Sequence, residues 1–347
     1  MYRHFGEVDA AGTSPLYERV AVALSESDEA LRAIRTAPAR KRHPMLILAA
    51  LHDLALAGRA PALAAAYASA DGDAAADAAI DTLLRMTDPV VAIAARRKTP
   101  TGTEETGRSA VLYPAIAEAA RRVGAHAVGL IDVGCSAGLN LQVDRVGITY
   151  GNGQALGDPS SPVQLSSSVV GDRPLPTRVM PEVVARVGVD LDPVDVTDAE
   201  DARWLRACLW PDRLERAARL EAEMALAATA PPLLLRGDPV EVLPDAFARV
   251  PADVLPVVTT TWALSRFRVE SRLRFLHRLD EAAAGRAVAW VSAEGVGVAP
   301  TVPTLGDRRA SGHSIIGLVV FDRSAARSEA LGRCWSRGRL LAWLADS

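Results

Sequence analysis

The chain has 347 residues, of which 49% are hydrophobic and 23% charged, and its formal net charge is −3. This composition is typical of a globular protein, and it excludes both a disordered chain and a strongly basic surface for nucleic acid. No apolar run reaches the roughly 18 residues of a membrane span, and the first residues lack the apolar stretch of a signal peptide. The three cysteines lie far apart, which predicts neither a disulfide framework nor a metal site, so we expect a cytoplasmic protein.

The first part of the chain, residues 1–108, is expected to form a helical N-terminal region. Ser14 and Pro15 have the N-cap and first-position pattern of a helix start. Pro44 opens a second helix, in which leucines recur at roughly helical spacing. No segment before residue 95 alternates in the way that a half-buried strand does, so we place the sheet in the remainder of the chain.

Two features of this region have functional interest. His43, His52 and Asp53 lie on the predicted helices, and we interpret them as ordinary helix-surface or core residues because further metal ligands are missing nearby. Residues 99–108 are polar, contain two glycines and are predicted to form a loop directly before the next helix. Long polar loops often contribute to function, and we expect this one to reach over a ligand-binding edge.

Residues 130–141, LIDVGCSAGLNL, contain the strongest functional signal. An apolar run that ends at Asp132 leads into a turn with Gly134 and Gly138, and a second apolar run follows. This pattern predicts a buried strand, a tight glycine turn and a helix N-terminus, which is a common place for a ligand.

The remainder of the chain alternates between predicted strands and helices, which favours a mainly parallel sheet covered on both faces. Residues of about 145–181 interrupt this alternation with many Gly, Pro and Ser residues, and we interpret them as an inserted β-hairpin or lid. Strands are predicted at 187–193, 231–238, 254–260, 287–292 and 314–321, a helix at 270–284, and a last strand pair within 331–344.

The glycine turn is compatible with two chemistries, of which the first is hydrolysis. Gly134-x-Ser136-x-Gly138 has the form of the nucleophile elbow of α/β-hydrolases. Ser136, Asp238 and His313 occur in the chain order that the catalytic triad of this fold requires. The helical region before the turn, where these folds have several strands, and the missing oxyanion loop argue against this hypothesis.

The second chemistry is methyl transfer, because Asp132-x-Gly134-x-x-x-Gly138 resembles the first motif of class I S-adenosylmethionine (SAM) methyltransferases. An acid at the end of the first strand can engage the ammonium of SAM, and an acid after the second strand can accept both ribose hydroxyls. A polar residue after the third strand can reach the adenine. The expected cofactor-binding residues are Arg108, Asp132, Gly134, Cys135, Ser136, Gly138, Asp190 and Asp238.

The assignment of the ribose ligand has alternatives. Asp190 lies 52 residues after Gly138, whereas compact nucleotide-binding folds place this acid about twenty residues on. The insertion accounts for the excess, and Asp192 and Asp144 are the other candidates. Ser136 stands where the methyltransferase motif usually has a glycine.

Three residues are candidates for the chemical step. The segment after the fourth strand would face the sulfonium, and Trp262 in this segment can shape the acceptor pocket. Glu294, at the end of the fifth strand, and His313 are candidate general bases for the acceptor. Arg108 or Tyr113 would bind the methionyl carboxylate.

Six stretches of the chain match one protein family, namely 103–108, 130–141, 186–195, 209–212, 236–238 and 290–295. On these stretches the chain is similar to the uncharacterised actinobacterial family DUF2332, which itself resembles class I SAM-dependent methyltransferases. The resemblance implies an α/β fold in which residues 109–347 form a Rossmann-like SAM-binding sheet. It implies SAM as cofactor. The helical N-terminal region and the inserted hairpin indicate an enclosed pocket, which together with the charge balance favours a small-molecule acceptor over nucleic acid. A non-catalytic protein that keeps the SAM fold is a further alternative.

Overall fold

A computed structural model of the chain describes residues 1–98, 106–322 and 325–345. The described residues form a mixed α/β protein with a large central sheet, and they divide into two compact units. Unit 1 comprises Met1–Glu104 and Val194–Met224, and unit 2 comprises Glu105–Pro193 and Ala225–Ser347. The sequence did not predict that Val194–Met224 returns to unit 1.

The secondary structure begins with a run of helices, and the strands of the described residues follow after α8. The α-helices are α1 (Tyr2–His4), α2 (Pro15–Glu26), α3 (Asp28–Arg35), α4 (Pro44–Leu56), α5 (Pro61–Ser69), α6 (Gly72–Arg85), α7 (Thr87–Arg96), α8 (Ser109–Val123), α9 (Ala199–Ala207), α10 (Leu214–Thr229), α11 (Pro239–Phe247) and α12 (Val269–Ala282). The strands are β1 (Ala127–Val133), β2 (Gly147–Tyr150), β3 (Ala155–Gly157), β4 (Gln164–Val169), β5 (Glu182–Asp190), β6 (Leu233–Arg236), β7 (Leu255–Thr261), β8 (Val288–Gly295), β9 (Ser314–Asp322), β10 (Ala325–Trp335) and β11 (Leu340–Trp343).

Unit 1 is a helical assembly whose central element is α4. The helix starts were predicted correctly: the Ser14 side chain accepts a hydrogen bond from the Tyr17 backbone N–H at 3.1 Å, and Pro15 is the first residue of α2. Trp204 and Cys208, from α9 and its end, belong to the same hydrophobic core as the N-terminal helices, which explains why Val194–Met224 returns to this unit. Within the described ranges, no single helix is long and apolar enough to cross a membrane, although the bent pair α4 and α5 passes by length and composition together.

Unit 2 is built on the sheet, whose strand order is β3-β2-β4-β11-β10-β9-β8-β7-β1-β5-β6. The neighbouring strands β8, β7, β1, β5 and β6 are parallel, and β9, β10 and β11 continue the sheet in antiparallel pairs. From β1 the chain proceeds to β5 and β6 on one side, and later to β7 and β8 on the other. The strand order therefore reverses between β1 and β7.

The insertion forms part of this sheet. The insertion contains an antiparallel hairpin of β2 and β3, and β4 pairs in parallel with both β2 and β11. The backbone N–H groups of Ser168 and Val170 donate to the carbonyls of Arg339 and Leu341, each at 2.8 Å. These bonds hold β4 to the edge of the sheet, so the strands of the insertion extend the sheet and do not form a free lid.

Helices α11 and α12 cover one face of the parallel strands. Phe275 of α12 and Trp290 of β8 meet edge to face with ring centroids 5.3 Å apart in this layer. Ile131 and Val133 of β1 belong to the same cluster. Because side chains alternate along a strand, Asp132 points to the opposite face of the sheet.

Candidate functional site

The glycine turn follows β1 directly, as the sequence predicts. Gly134 and Gly138 have φ values of +76° and +68°, which glycine adopts without a steric penalty. The Gly134 N–H donates to the Val189 carbonyl of β5 at 2.8 Å. Cys135 is buried beneath the turn, and a Cβ atom on Gly188 would lie 2.6 Å from its sulfur. The turn is thus anchored on the carboxyl end of β5, and Cys135 contributes packing to it.

The expected α-helix after the turn is absent, and that prediction was wrong. Residues Leu139–Arg145 form a 3₁₀-helix in which Gln142 departs from helical backbone angles. The Gln142 side chain donates to the Ala230 carbonyl at 3.1 Å, and Arg145 donates to the Leu226 carbonyl at 3.1 Å. These long-range hydrogen bonds hold Leu139–Arg145 in the 3₁₀ conformation, and β2 begins two residues later.

Asp132 lies at the centre of the site and is only 1% exposed. Its Oδ1 accepts a hydrogen bond from the Thr259 hydroxyl at 2.7 Å, and its Oδ2 accepts one from Asn140 Nδ2 at 3.2 Å. Burial raises the pKa of Asp132 to about 6, although the Thr259 hydroxyl and the charge of Arg108 oppose the shift. The group is a buried carboxylate that has cationic and hydrogen-bonding neighbours.

Arg108 supplies the cation of the site. Its Nη1 donates to the hydroxyl and the carbonyl of Thr261 at 2.9 and 3.2 Å, and its guanidinium carbon lies 5.2 Å from the centre of the Trp262 ring. Burial lowers the pKa of Arg108, whereas Asp132 and Glu294 raise it. Arg108 ends the polar loop of the sequence, but residues 99–105 of that loop lie outside the described residues.

Glu294, at the end of β8, is a second buried acid. Its Oε1 accepts hydrogen bonds from the backbone N–H groups of Ala263 and Leu264 at 2.9 and 3.0 Å. Its Oε2 is buried and has no hydrogen-bond partner among the described residues. Burial raises the pKa of Glu294 to about 7, against the effect of the backbone donors and Arg108. A carboxyl group with this pKa exchanges its proton near neutral pH.

Trp262 directly follows β7, has a strained backbone and is hydrogen-bonded to the residue before Glu294. Its φ is +54°, which is rare for a bulky side chain, and its N–H donates to the Ala293 carbonyl at 3.0 Å. The indole N–H donates to the Ser314 hydroxyl at 2.8 Å. Strained residues of this kind occur preferentially at functional sites.

Asp190 ends β5 and binds the glycine turn. Its Oδ2 accepts the backbone N–H of Ser136 at 3.0 Å, and its Oδ1 accepts the backbone N–H of Asp192 at 2.9 Å. The other two candidates for the ribose ligand are engaged with arginines. Asp192 pairs with Arg236, and Asp144 forms two bonds of 2.7 Å with Arg186.

The three residues of the hydrolase hypothesis do not form a triad. Ser136 has a φ of +53°, and its hydroxyl is buried with no partner among the described residues. His313 Nε2 lies 2.8 Å from Asp307 Oδ2, and its Nδ1 faces a backbone carbonyl. Asp238 is exposed and caps α11 by accepting a backbone N–H at 2.9 Å. The proposed base His313 and the proposed acid Asp238 therefore form their hydrogen bonds with groups near them in the sequence, and not with each other or with Ser136.

The structure brings most of the expected site residues to the carboxyl ends of β1, β5, β7 and β8. His313 and Asp238 make their hydrogen bonds elsewhere. Asn140, Thr259 and Thr261 were not among the predicted site residues. The available signal for the two threonines was the run of three consecutive threonines at 259–261, at the end of a predicted strand. Across the described ranges, no group of three or more His, Cys, Asp and Glu residues is arranged to hold a metal ion.

No curated protein and no solved structure matches the chain. A family model described as "Uncharacterized protein conserved in bacteria (DUF2332)" matches residues 1–343. Because this match covers almost the whole length of 347 residues, the chain belongs to the DUF2332 family.

Proposed function

We propose that the protein binds SAM at the carboxyl ends of β1, β5 and β7 and transfers its methyl group to a small-molecule acceptor. The observation that carries this proposal is the contact between the turn and the acid, in which the Ser136 N–H donates to Asp190 at the carboxyl ends of β1 and β5. β1 is one of the two strands between which the strand order reverses, the other being β7. Open α/β sheets bind nucleotide-like ligands at this position. We also propose that the sheet of unit 2 is the Rossmann-like sheet of a class I methyltransferase.

The buried charges match the methionyl end of SAM, which carries an ammonium and a carboxylate. Asp132 accepts one hydrogen bond on each oxygen from the described residues, so each oxygen keeps a lone pair for an ammonium donor. The guanidinium of Arg108 has the planar geometry that suits a carboxylate. A zwitterion between these two groups would have both charges compensated in a buried environment.

The ribose and adenine assignments follow from the acids at the next two strand ends. Asp190 is partly exposed and accepts one backbone N–H on each oxygen, which leaves lone pairs for two hydroxyl groups. Asp192 and Asp144 are paired with arginines, so we assign the ribose to Asp190. Asp238, after β6, uses Oδ1 as a helix cap, and its other oxygen would accept the adenine amino group.

When bound, SAM would supply an electrophilic methyl group: the acceptor would attack its carbon in line, the carbon–sulfur bond would break and S-adenosylhomocysteine would leave. The protein then has to align the acceptor and remove its proton. Glu294 fits the second role, because its pKa is about 7 and its Oε2 has no partner among the described residues. Trp262 would form the wall against which the acceptor lies, since the adjacent Arg108 and Ser314 hold its ring in place.

The test is a thermal-shift comparison of the full chain with SAM, S-adenosylhomocysteine and ATP. We expect the first two ligands to raise the melting temperature, because ligand binding to the folded state alone stabilises it by mass action. ATP shares the adenosine but lacks the methionyl group, so it should give a much smaller shift. Equal shifts with all three ligands, or none with any, would refute the proposal. Binding without turnover on any acceptor would favour the non-catalytic alternative.

A further inference from the structure

Unit 1 contains a cavity of about 310 Å³ that has no part in the site described above. It lies among α4, α5 and α10 and the turn between α9 and α10, and most of the side chains that line it are aliphatic or aromatic. Small-molecule sites have volumes of about 300 to 1,000 Å³, apolar walls and a few fixed polar groups. The cavity has the volume and the walls of such a site, so its polar groups decide which ligand fits.

His52 is the polar group that the surrounding structure fixes most completely. Its Nδ1 lies 3.2 Å from the Ala207 carbonyl and 3.1 Å from the Leu209 carbonyl, and both partners are acceptors. Nδ1 must therefore carry the proton. Burial lowers the pKa of His52, so the ring is neutral and Nε2 carries a lone pair.

The orientation of this ring is set by its neighbours. Tyr67 packs edge to face against His52, with ring centroids 5.4 Å apart at an interplanar angle of 89°. Both residues line the cavity. Within the described residues Nε2 has no hydrogen-bond donor, so a hydrogen-bond acceptor of fixed geometry is available at this wall.

The remaining polar groups offer no net charge to a ligand. Arg206 and Glu221, which also line the cavity, form two hydrogen bonds with each other at 2.5 and 2.9 Å. Trp210 Nε1 is buried and has no partner among the described residues. Part of the lining is both apolar and accessible, since the lining residues Leu56 and Leu214 are 45% and 74% exposed.

We propose that this cavity binds an uncharged, mainly apolar alcohol or phenol whose hydroxyl group donates a hydrogen bond to His52 Nε2. A charged ligand would lose its hydration without gaining a counter-ion, which is costly. An ionised carboxylate has no proton to donate to Nε2. The proposal is independent of SAM binding, because its residues all belong to unit 1.

The test uses 2-naphthol, naphthalene and 2-naphthoate as probes of the full chain by isothermal titration calorimetry. We expect 2-naphthol to bind roughly tenfold more tightly than naphthalene, because a hydrogen bond contributes about 0.5–1.5 kcal/mol. 2-Naphthoate should not bind. On binding of 2-naphthol, the ¹⁵N resonance of His52 Nε2 should shift. Equal affinity for 2-naphthol and naphthalene, or no binding of 2-naphthol, would overturn the proposal.

A pair of variants on α5 tests whether the ligand binds in this cavity, and both substitutions are at exposed positions outside the core. Ala68 and Ala62 are both exposed alanines of the same helix, but only Ala68 lines the cavity. Ala68→Phe should weaken 2-naphthol binding at least tenfold, and Ala62→Phe should leave it unchanged. Binding that survives Ala68→Phe would place the ligand elsewhere and contradict the proposal.

Discussion

The backbone N–H of Ser136 donates a 3.0 Å hydrogen bond to Asp190 Oδ2, across 54 residues of sequence. It joins the turn after β1 to the end of β5, and β1 borders the reversal of strand order on its other side, toward β7. The turn and the acid therefore form one structural element. A change at either residue is expected to affect both the stability of the turn and the proposed binding of SAM.

Ser136→Gly should stabilise the protein. Ser136 has a φ of +53°, and a residue with a Cβ atom pays about 1–2 kcal/mol in this left-handed region. The greater freedom of glycine in the unfolded chain offsets part of this gain, so we expect a net increase of roughly 1 kcal/mol in the free energy of unfolding. Urea denaturation of this variant and of Ser136→Ala, which keeps the Cβ atom, measures it. A glycine variant less stable than the alanine variant would disprove strain at this position.

Glu294→Gln should change how stability depends on pH. The folded-state pKa of Glu294 is raised from 4.5 to about 7, so the protonated form is favoured on folding. The contribution of Glu294 to the free energy of unfolding is therefore fully present below pH 4.5, and it is lost as the pH rises through 7. Asp132, with a pKa of about 6, acts in the same direction.

The expected size of the Glu294 effect is about 3 kcal/mol at most, since one pKa unit corresponds to about 1.4 kcal/mol. The free energy of unfolding of the native chain should fall relative to that of Glu294→Gln between pH 5 and pH 8. Glu215→Gln removes an exposed carboxyl and should keep the native pH dependence. A constant difference between the native chain and Glu294→Gln over this range would show that Glu294 has an ordinary pKa.

A fluorophosphonate probe should leave Ser136 unmodified. His313 makes its hydrogen bonds with Asp307 and a backbone carbonyl, so no described histidine activates the Ser136 hydroxyl. Mass spectrometry of the tryptic peptide after treatment provides the measurement, with a serine hydrolase of known reactivity in the same mixture as positive control. A labelled Ser136 would revive the hydrolase hypothesis.

The sequence predicted the strands and the turn of unit 2 well, because burial and glycine patterns are local. Residues 254–260 and 314–321, for example, correspond closely to β7 and β9. The turn at 134–138 follows β1 where it was expected, and the acids at 132 and 190 lie at strand ends.

The parts that were missed depend on distant contacts. The bond between Thr259 and Asp132 follows from the register of β7 against β1, which no short pattern encodes. The segment after Gly138 has an apolar pattern that fits a helix, but Gln142 is held by the distant Ala230 carbonyl. Local chemistry also could not show that His313 would find Asp307 as its partner.

The most direct test of the proposed function compares S-adenosylhomocysteine binding by the native chain, Asp190→Asn and Asp192→Asn. Both variants remove one carboxylate from the same loop, but only Asp190 accepts the N–H of the glycine turn, whereas Asp192 pairs with Arg236. Isothermal titration calorimetry should show affinity reduced roughly tenfold to a hundredfold in Asp190→Asn, because a hydrogen bond to a charged group contributes about 1.5–3 kcal/mol. Asp192→Asn should bind like the native chain. Absence of binding by the native chain, or full affinity in Asp190→Asn, would contradict the proposed SAM site.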